Sequence, residues 1–168
     1  GLYEQDGVSF TAVSGAPPKA KFVFSVGEFV VLGNLENDPT AVQWSGIGNR
    51  TQWTIGENLC DKQVFPDGGA VMGAVSSEMG AYIIQERKIR RMFVQTGSNF
   101  AFGFDVANAT RGCVAPASIV EANGTFFYLD TDGFYQGVDG RAIGAERINR
   151  TFFDDLDQTK IHMVQGAN

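Results

Sequence analysis

The sequence predicts an all-β fold of antiparallel four-stranded meanders, the arrangement found in β-propeller blades. Short apolar runs alternate with turn residues along the 168-residue chain. The composition, with 14 Phe and 21 Gly, suits pleated strands joined by tight turns. The turn glycines Gly27, Gly80 and Gly124 each precede an aromatic-rich strand, and they recur at intervals of roughly 45 to 55 residues.

The N-terminal part of the chain predicts a hairpin followed by one complete sheet. Residues 3–13 form the hairpin around Asp6-Gly7, a pair that favours a tight turn, and Pro17-Pro18 then breaks the chain. A strand pair around Gly27 occupies residues 20–33. The third and fourth strands are expected at residues 41–45 and 51–55.

The same unit is predicted to recur along the rest of the chain. Its expected strands lie at residues 70–75, 81–85, 88–95 and 101–105, then at 117–121, 125–129 and 134–136. Residues 149–157 predict a short helical turn, and 160–165 predict the first strand of another unit. The blade-like units are therefore expected at residues 1–16, 17–66, 67–112, 113–157 and 158–168 of one all-β domain. Because a propeller typically closes with four to eight blades, we expect this chain to be an excerpt of a longer one, or to complete a ring with partner chains.

The charge and the cysteine content of the chain argue against several classes of function. The net charge is −6 and the sequence pI is about 4.7, which disfavours a domain whose main task is to grip phosphate backbones. Cys60 and Cys113 lack the spacing of a zinc site, and two buried free thiols are the prediction, since they pair only if the fold brings them together. No apolar run reaches the length of a membrane span. We expect no catalytic activity, cofactor, metal or membrane partner.

Four motifs follow one another in the second half of the chain. They read Gln-Glu-Arg with Ile-x-Arg-Met, Arg-Gly-x-x-Ala-Pro-x-Ser-x-Val, Phe-Phe-Tyr-Leu with Asp-Gly-Phe-Tyr, and Ile-Gly-x-Glu-x-Ile-Asn-Arg with Phe-Phe. They stand at residues 85–92, 111–120, 126–135 and 143–153. In this order the stretch 68–157 resembles the tail nozzle, or packaged-DNA-stabilisation (tail hub), proteins of tailed bacteriophages.

The resemblance implies a structural virion protein of a tailed phage or prophage. In that role a propeller part of the tail nozzle would help to retain packaged DNA and would connect tail parts. The implied partners are identical subunits in a ring, portal, adaptor and other tail proteins, and double-stranded DNA held weakly and non-specifically. The implied location is the virion tail, assembled in the cytoplasm of the bacterial host.

Two sets of candidate residues follow from the sequence. The first set is a cluster of charged residues: Glu86, Arg87, Arg90 and Arg91. One interpretation is that they contact a neighbouring subunit or DNA. The alternative is that they pair with acidic residues across a sheet. The second set is three aromatic residues: Trp44, Trp53 and Tyr135. If the chain is instead a glycan- or receptor-binding module, these residues are candidates for stacking on sugar rings. The competing interpretation is that they pack in the core. A sialidase-like glycoside hydrolase is a further alternative, but no spacing singles out its catalytic set.

Three acidic or titratable features have structural interpretations beside functional ones. Asp130-x-Asp132-Gly133 resembles the start of a calcium loop, but it is also typical of a hairpin turn. The aspartates 154, 155 and 157 suit either a metal or the first turn of a short helix. His162 is the only histidine and has no nucleophile in a recognisable context.

Overall fold

Three four-stranded antiparallel meanders and one short hairpin make up the fold. The computed structural model describes residues 1–5, 7–144 and 146–167. The hairpin consists of β1 (Tyr3–Gln5) and β2 (Phe10–Ala12). Blade 1 consists of β3 (Ala20–Val26), β4 (Phe29–Leu35), β5 (Asp38–Trp44) and β6 (Asp61–Val64). Blade 2 consists of β7 (Val71–Ser77), β8 (Gly80–Gln85), β9 (Ile89–Val94) and β10 (Phe102–Asn108). Blade 3 consists of β11 (Val120–Ala122), β12 (Thr125–Asp130), β13 (Gly133–Gln136) and β14 (Arg141–Ile143). Within each blade the strands pair in chain order, which confirms the predicted all-β meanders.

The blades stack face to face, and each interface between them is an apolar core. Between blades 1 and 2, Trp44 of β5 meets Phe102 of β10 edge-on, with ring centroids 5.1 Å apart. Between blades 2 and 3, Ile84 and Ile89 pack with Phe126 and other buried residues of β12 and β13. The alternation of side chains along each strand therefore gives blade 2 two buried faces.

The turn chemistry of the sequence explains the hairpins. Asn123 and Gly124 between β11 and β12 both have positive φ, 52° and 74°, as the mirror-image hairpin turns require. Gly27 between β3 and β4 has a φ of 55°. The predicted hairpin at the N-terminus is present, although Asp6 of its turn lies outside the described residues.

Two predicted strands are wrong, at residues 51–55 and 160–165, and a third, at 117–121, starts later than predicted. Residues 51–55 belong to a long loop, and the fourth strand of blade 1 is β6. The loop closes a series of backbone turns, at residues 46–49, 49–52, 54–57 and 57–60, before the chain pairs with β5. Residues 117–121 begin in a short 3-10 helix, Pro116–Ser118, and strand pairing starts only at Val120. Residues 160–165 fall largely in a 3-10 helix, Gln158–Met163, whose start is capped by the Asp157 carboxylate accepting from Thr159 N at 3.0 Å.

The predicted helical segment near the C-terminus is present, with different bounds. It is helix α1, Glu146–Asp155. Phe152 of α1 packs edge-on against Phe134 of β13, with centroids 4.8 Å apart. Asp154 and Asp155 lie in the last turn and not in the first, where we expected them. The exposed ion pair of Asp154 with Arg150, at 3.6 Å, joins residues one helical turn apart.

Candidate functional site

The turn between β8 and β9 binds the segments that enter and leave blade 2. Glu86 N donates to Ala70 O at 3.1 Å and Arg87 N donates to Gly68 O at 3.0 Å, both in the segment that comes from blade 1. On the other side, Cys113 N in the segment leading to blade 3 donates to Gln85 O at 2.9 Å. A Cβ atom at Gly112 would collide with the backbone of Glu86 and Arg87. The first predicted motif therefore forms a junction between three parts of the chain.

The side chain of Gln85 lies at the centre of this first junction. It is fully buried, and its amide nitrogen donates to Phe65 O at 3.1 Å and Gly69 O at 2.7 Å. Its amide oxygen accepts from Arg90 Nε at 2.7 Å. Arg90 also pairs with Asp67, and its guanidinium carbon lies 4.8 Å from the centre of the Phe65 ring. All the polar atoms of the Gln85 amide group are thus used between blades 1 and 2.

The four residues predicted as an interface do not form one uniform patch. Arg90 is buried and bonded internally, whereas Arg91 is half-exposed and pairs with Asp105, its cross-strand neighbour on β10. The sequence left two interpretations of this cluster open, and the contact of Arg91 with Asp105 agrees with the one that predicts pairing with acids across the sheet. Glu86 and Arg87 lie at the surface with their charged groups 3.6 Å apart.

A second junction is built around Arg111, between blades 2 and 3. Its guanidinium contacts Asp132 at 2.7 Å and Asp130 at 3.4 Å, and it lies 4.0 Å from the centre of the Tyr135 ring. Gly112 N donates to the buried Asp130 carboxylate at 3.3 Å. Burial alone would lower the pKa of Arg111. The hydrogen bond to Asp132 and the negative charge of Asp132 outweigh this effect, so the pKa of Arg111 is raised. Asp130 and Gly133 pair across the β12–β13 turn, so the hairpin interpretation of this motif is confirmed.

The two junctions share a feature with blade 1. In each blade, a buried polar residue stands at or next to the last position of the second strand, and its side chain bonds to the backbone of a connecting segment or of the next blade. We call these three residues the anchors: Asn34, Gln85 and Asp130. Asn34 Nδ2 donates to Val71 O, at the start of blade 2, at 2.8 Å. The anchors recur 51 and 45 residues apart, close to the 53 and 44 residues that separate the turn glycines Gly27, Gly80 and Gly124.

The predicted aromatic stacking residues are enclosed. Trp44, Trp53 and Tyr135 are 3%, 5% and 6% exposed. Both indole N–H groups are satisfied inside the fold, Trp44 by Leu59 O at 2.8 Å and Trp53 by Arg50 O at 2.7 Å. A sugar ring has no access to these faces, so the core interpretation replaces the stacking one for all three.

The remaining candidate groups are dispersed. Cys60 and Cys113 are free and buried, as predicted, and burial raises the pKa of both thiols. His162 is exposed in the second 3-10 helix. Among residues 1–5, 7–144 and 146–167, no three His, Cys, Asp or Glu side chains are arranged to hold a metal ion.

No family model matches the chain, and no curated protein shows significant similarity to it. Within the part of the chain that the structure describes, none of the helices has the length and apolar character needed to cross a bilayer.

Proposed function

We propose that this chain is a structural component of a tailed-phage or prophage virion. In this proposal it is a propeller part of the tail nozzle, it assembles with identical subunits and with portal, adaptor and other tail proteins, and it helps to retain packaged DNA. The observation that carries the proposal is the use of the motif residues. Gln85, Arg90, Arg111, Gly112 and Asp130 hold blades to one another.

The type of chemistry at these positions supports a scaffold. A site for a solute needs polar groups that converge on a space and keep some bonding capacity for the ligand. The polar groups of the two junctions instead bond to backbone carbonyls, backbone N–H groups and each other. This bonding fixes the orientation of one blade relative to the next, as expected for a structural protein that keeps its shape within an assembly.

The charge distribution supports weak and non-specific contact with DNA. The chain carries a net charge of −6, and the guanidinium groups of Arg90 and Arg111 are held by aspartates. These two arginines are therefore not available to neutralise phosphates, and the net negative charge of the chain disfavours tight phosphate binding. Such a surface suits a channel through which DNA must slide.

Solution mass tests the proposal. Light scattering would measure this chain and the longest natural reading frame that contains it, alone and with a portal–adaptor complex. We expect a discrete ring-like oligomer, either alone or on addition of the complex. A stable monomer under every condition would refute the virion role and favour a receptor-binding or glycan-binding module.

Charge reversal at the surface gives a sharper form of the same test. The proposal places the exposed Arg87 and Arg91 at the contact between subunits, so reversing both to Glu is expected to reduce the oligomer. Lys21→Glu changes an exposed cation of blade 1 and serves as the matched control. Equal masses for the double variant and the control would remove these arginines from the interface.

A further inference from the structure

A groove opens between blades 2 and 3, away from the anchors. Its walls are the β7–β8 hairpin of blade 2 and the β11–β12 hairpin of blade 3, and residues 137–139 also line it. It encloses about 950 Å³, which is within the size range of small-ligand sites. None of the anchors lines this space, although Phe126 contributes both to it and to the apolar core between the blades.

The apolar part of the groove is aromatic. Tyr82 of β8 and Phe126 of β12 lie against each other across the blade interface, with ring centroids 6.0 Å apart and ring planes 36° apart. Phe126 is buried, whereas Tyr82 is half-buried and lines the open space. A tyrosine ring in this position offers an apolar surface with a polar tip.

The rim of the groove supplies hydrogen-bonding groups of both kinds. The exposed carboxylates of Glu78 and Asp139 accept, and the exposed amide of Asn123 both donates and accepts. Arg91 adds donors, and its hydrogen bond to Asp105 raises its pKa and holds the guanidinium in place. An aromatic surface surrounded by mixed donors and acceptors matches a ligand with an apolar face and hydroxyl groups around its edge.

We propose that this groove binds a neutral oligosaccharide, with the C–H face of a pyranose ring packed on Tyr82. Its hydroxyl groups bond to the side chains of Glu78, Asn123 and Asp139. The charge of the rim selects against anionic sugars, because Glu78, Glu121 and Asp139 line it, whereas its one arginine is already paired with an acid. This site differs from the three enclosed aromatic residues that the sequence suggested.

The test is a calorimetric titration of the chain with probes of different charge. Maltotriose and triacetylchitotriose are the neutral probes, a heparin tetrasaccharide is the anionic probe, and trilysine is the cationic one. We expect a neutral probe to bind and both charged probes to fail. Tyr82→Ala should weaken the binding about tenfold, which corresponds to about 1.4 kcal/mol, whereas Tyr82→Phe should retain it. Tyr3→Ala, at an exposed tyrosine outside the groove, is the matched control and should leave the affinity unchanged.

Several outcomes would overturn the site. These are no binding of either neutral probe at millimolar concentration, equal binding by wild type and Tyr82→Ala, or binding of heparin or trilysine in place of the neutral probes. If Tyr82→Ala does not fold, the double variant Glu78→Gln, Asp139→Asn gives the second readout, since both side chains are exposed and the change removes acceptors without removing volume. Arg91 lines the groove and is also proposed at the subunit contact, so the solution mass is recorded for each titrated sample. Sugar binding and oligomer mass are separate readouts, and failure of one is therefore distinguishable from failure of the other.

Discussion

Replacing Gln85 with alanine tests the anchor of the first junction. The truncation removes three hydrogen bonds and leaves the carbonyls of Phe65 and Gly69 and the Nε–H of Arg90 without their partner. A buried group left unpaired costs about 1–3 kcal/mol, and more for a charged group. Partial relaxation and water entry recover some of the sum, so we expect the free energy of unfolding to fall by about 3–5 kcal/mol.

Urea and thermal unfolding, followed by far-UV circular dichroism, measure this loss. For a chain of this size, each 1 kcal/mol lowers Tm by about 2–4 °C, so Gln85→Ala should lower it by roughly 6–20 °C. Gln63→Ala is the matched control, because the Gln63 amide reaches only the carbonyl of its neighbour Val64, at 2.9 Å near the surface. We expect the control to change stability by about 0.5 kcal/mol or less.

A second variant separates the roles of the two ends of the amide. Gln85→Glu keeps an acceptor for Arg90 but places a carboxylate against two carbonyl oxygens that need a donor. It should therefore be less stable than wild type at neutral pH. The anchor argument fails if Gln85→Ala costs less than about 1 kcal/mol, or if Gln85→Glu matches the wild-type protein.

Three further predictions concern buried and paired groups. Tyr128→Phe should leave the unfolding free energy within about 0.5 kcal/mol of wild type or raise it, because no group of the described residues hydrogen-bonds to its buried hydroxyl; a loss of several times that amount in urea unfolding would contradict this. Cys60 and Cys113 should react with a thiol reagent only in denaturant, since both are buried and burial raises their pKa; labelling of the native protein would count against it. The hydrogen bond from Lys62 lowers the pKa of Asp38 in the folded state, with burial opposing it. The stability from this group should be present above the unfolded pKa of about 3.9 and should be lost as the pH falls below it; Lys62→Met should reduce that acid-dependent loss, and an identical pH profile for the two proteins would refute the assignment.

The sequence was informative where periodicity and turn chemistry coincide. Alternation around Gly27 and the Asn123-Gly124 pair located hairpins that the structure contains. It failed at residues 51–55, where an apolar and β-branched run reads as a strand. There Trp53 packs into the core from a loop and Gln43 Nε2 donates to Trp53 O at 3.2 Å, so tertiary packing outweighs strand propensity.

The junctions could be predicted only in part. Residues 85–87 and 111–113 belong to two of the motifs that follow one another in the sequence. Their spacing does not reveal that these two segments are in contact in the fold. The anchors differ in residue type, as an amide in blades 1 and 2 and a carboxylate in blade 3, so no repeat of identity marks them. A usable signal is positional, because each is a polar residue within one position of the end of the largely apolar second strand. The groove was missed because its residues become neighbours only when two blades stack.

The anchors also bear on the order of folding. Gln85 bonds to residues 20 and 16 positions earlier, Gly112 bonds to Asp130 over 18 positions, and Asn34 bonds to Val71 over 37 positions. Each of these contacts joins a blade to a neighbouring segment or to the next blade, so it closes a smaller loop, at a lower cost in chain entropy, than a contact between the ends of the chain. Blade 2 can therefore dock onto blade 1 before blade 3 is made, and each later blade can add to a finished surface. During synthesis on the ribosome, such a chain would gain its blades one after another.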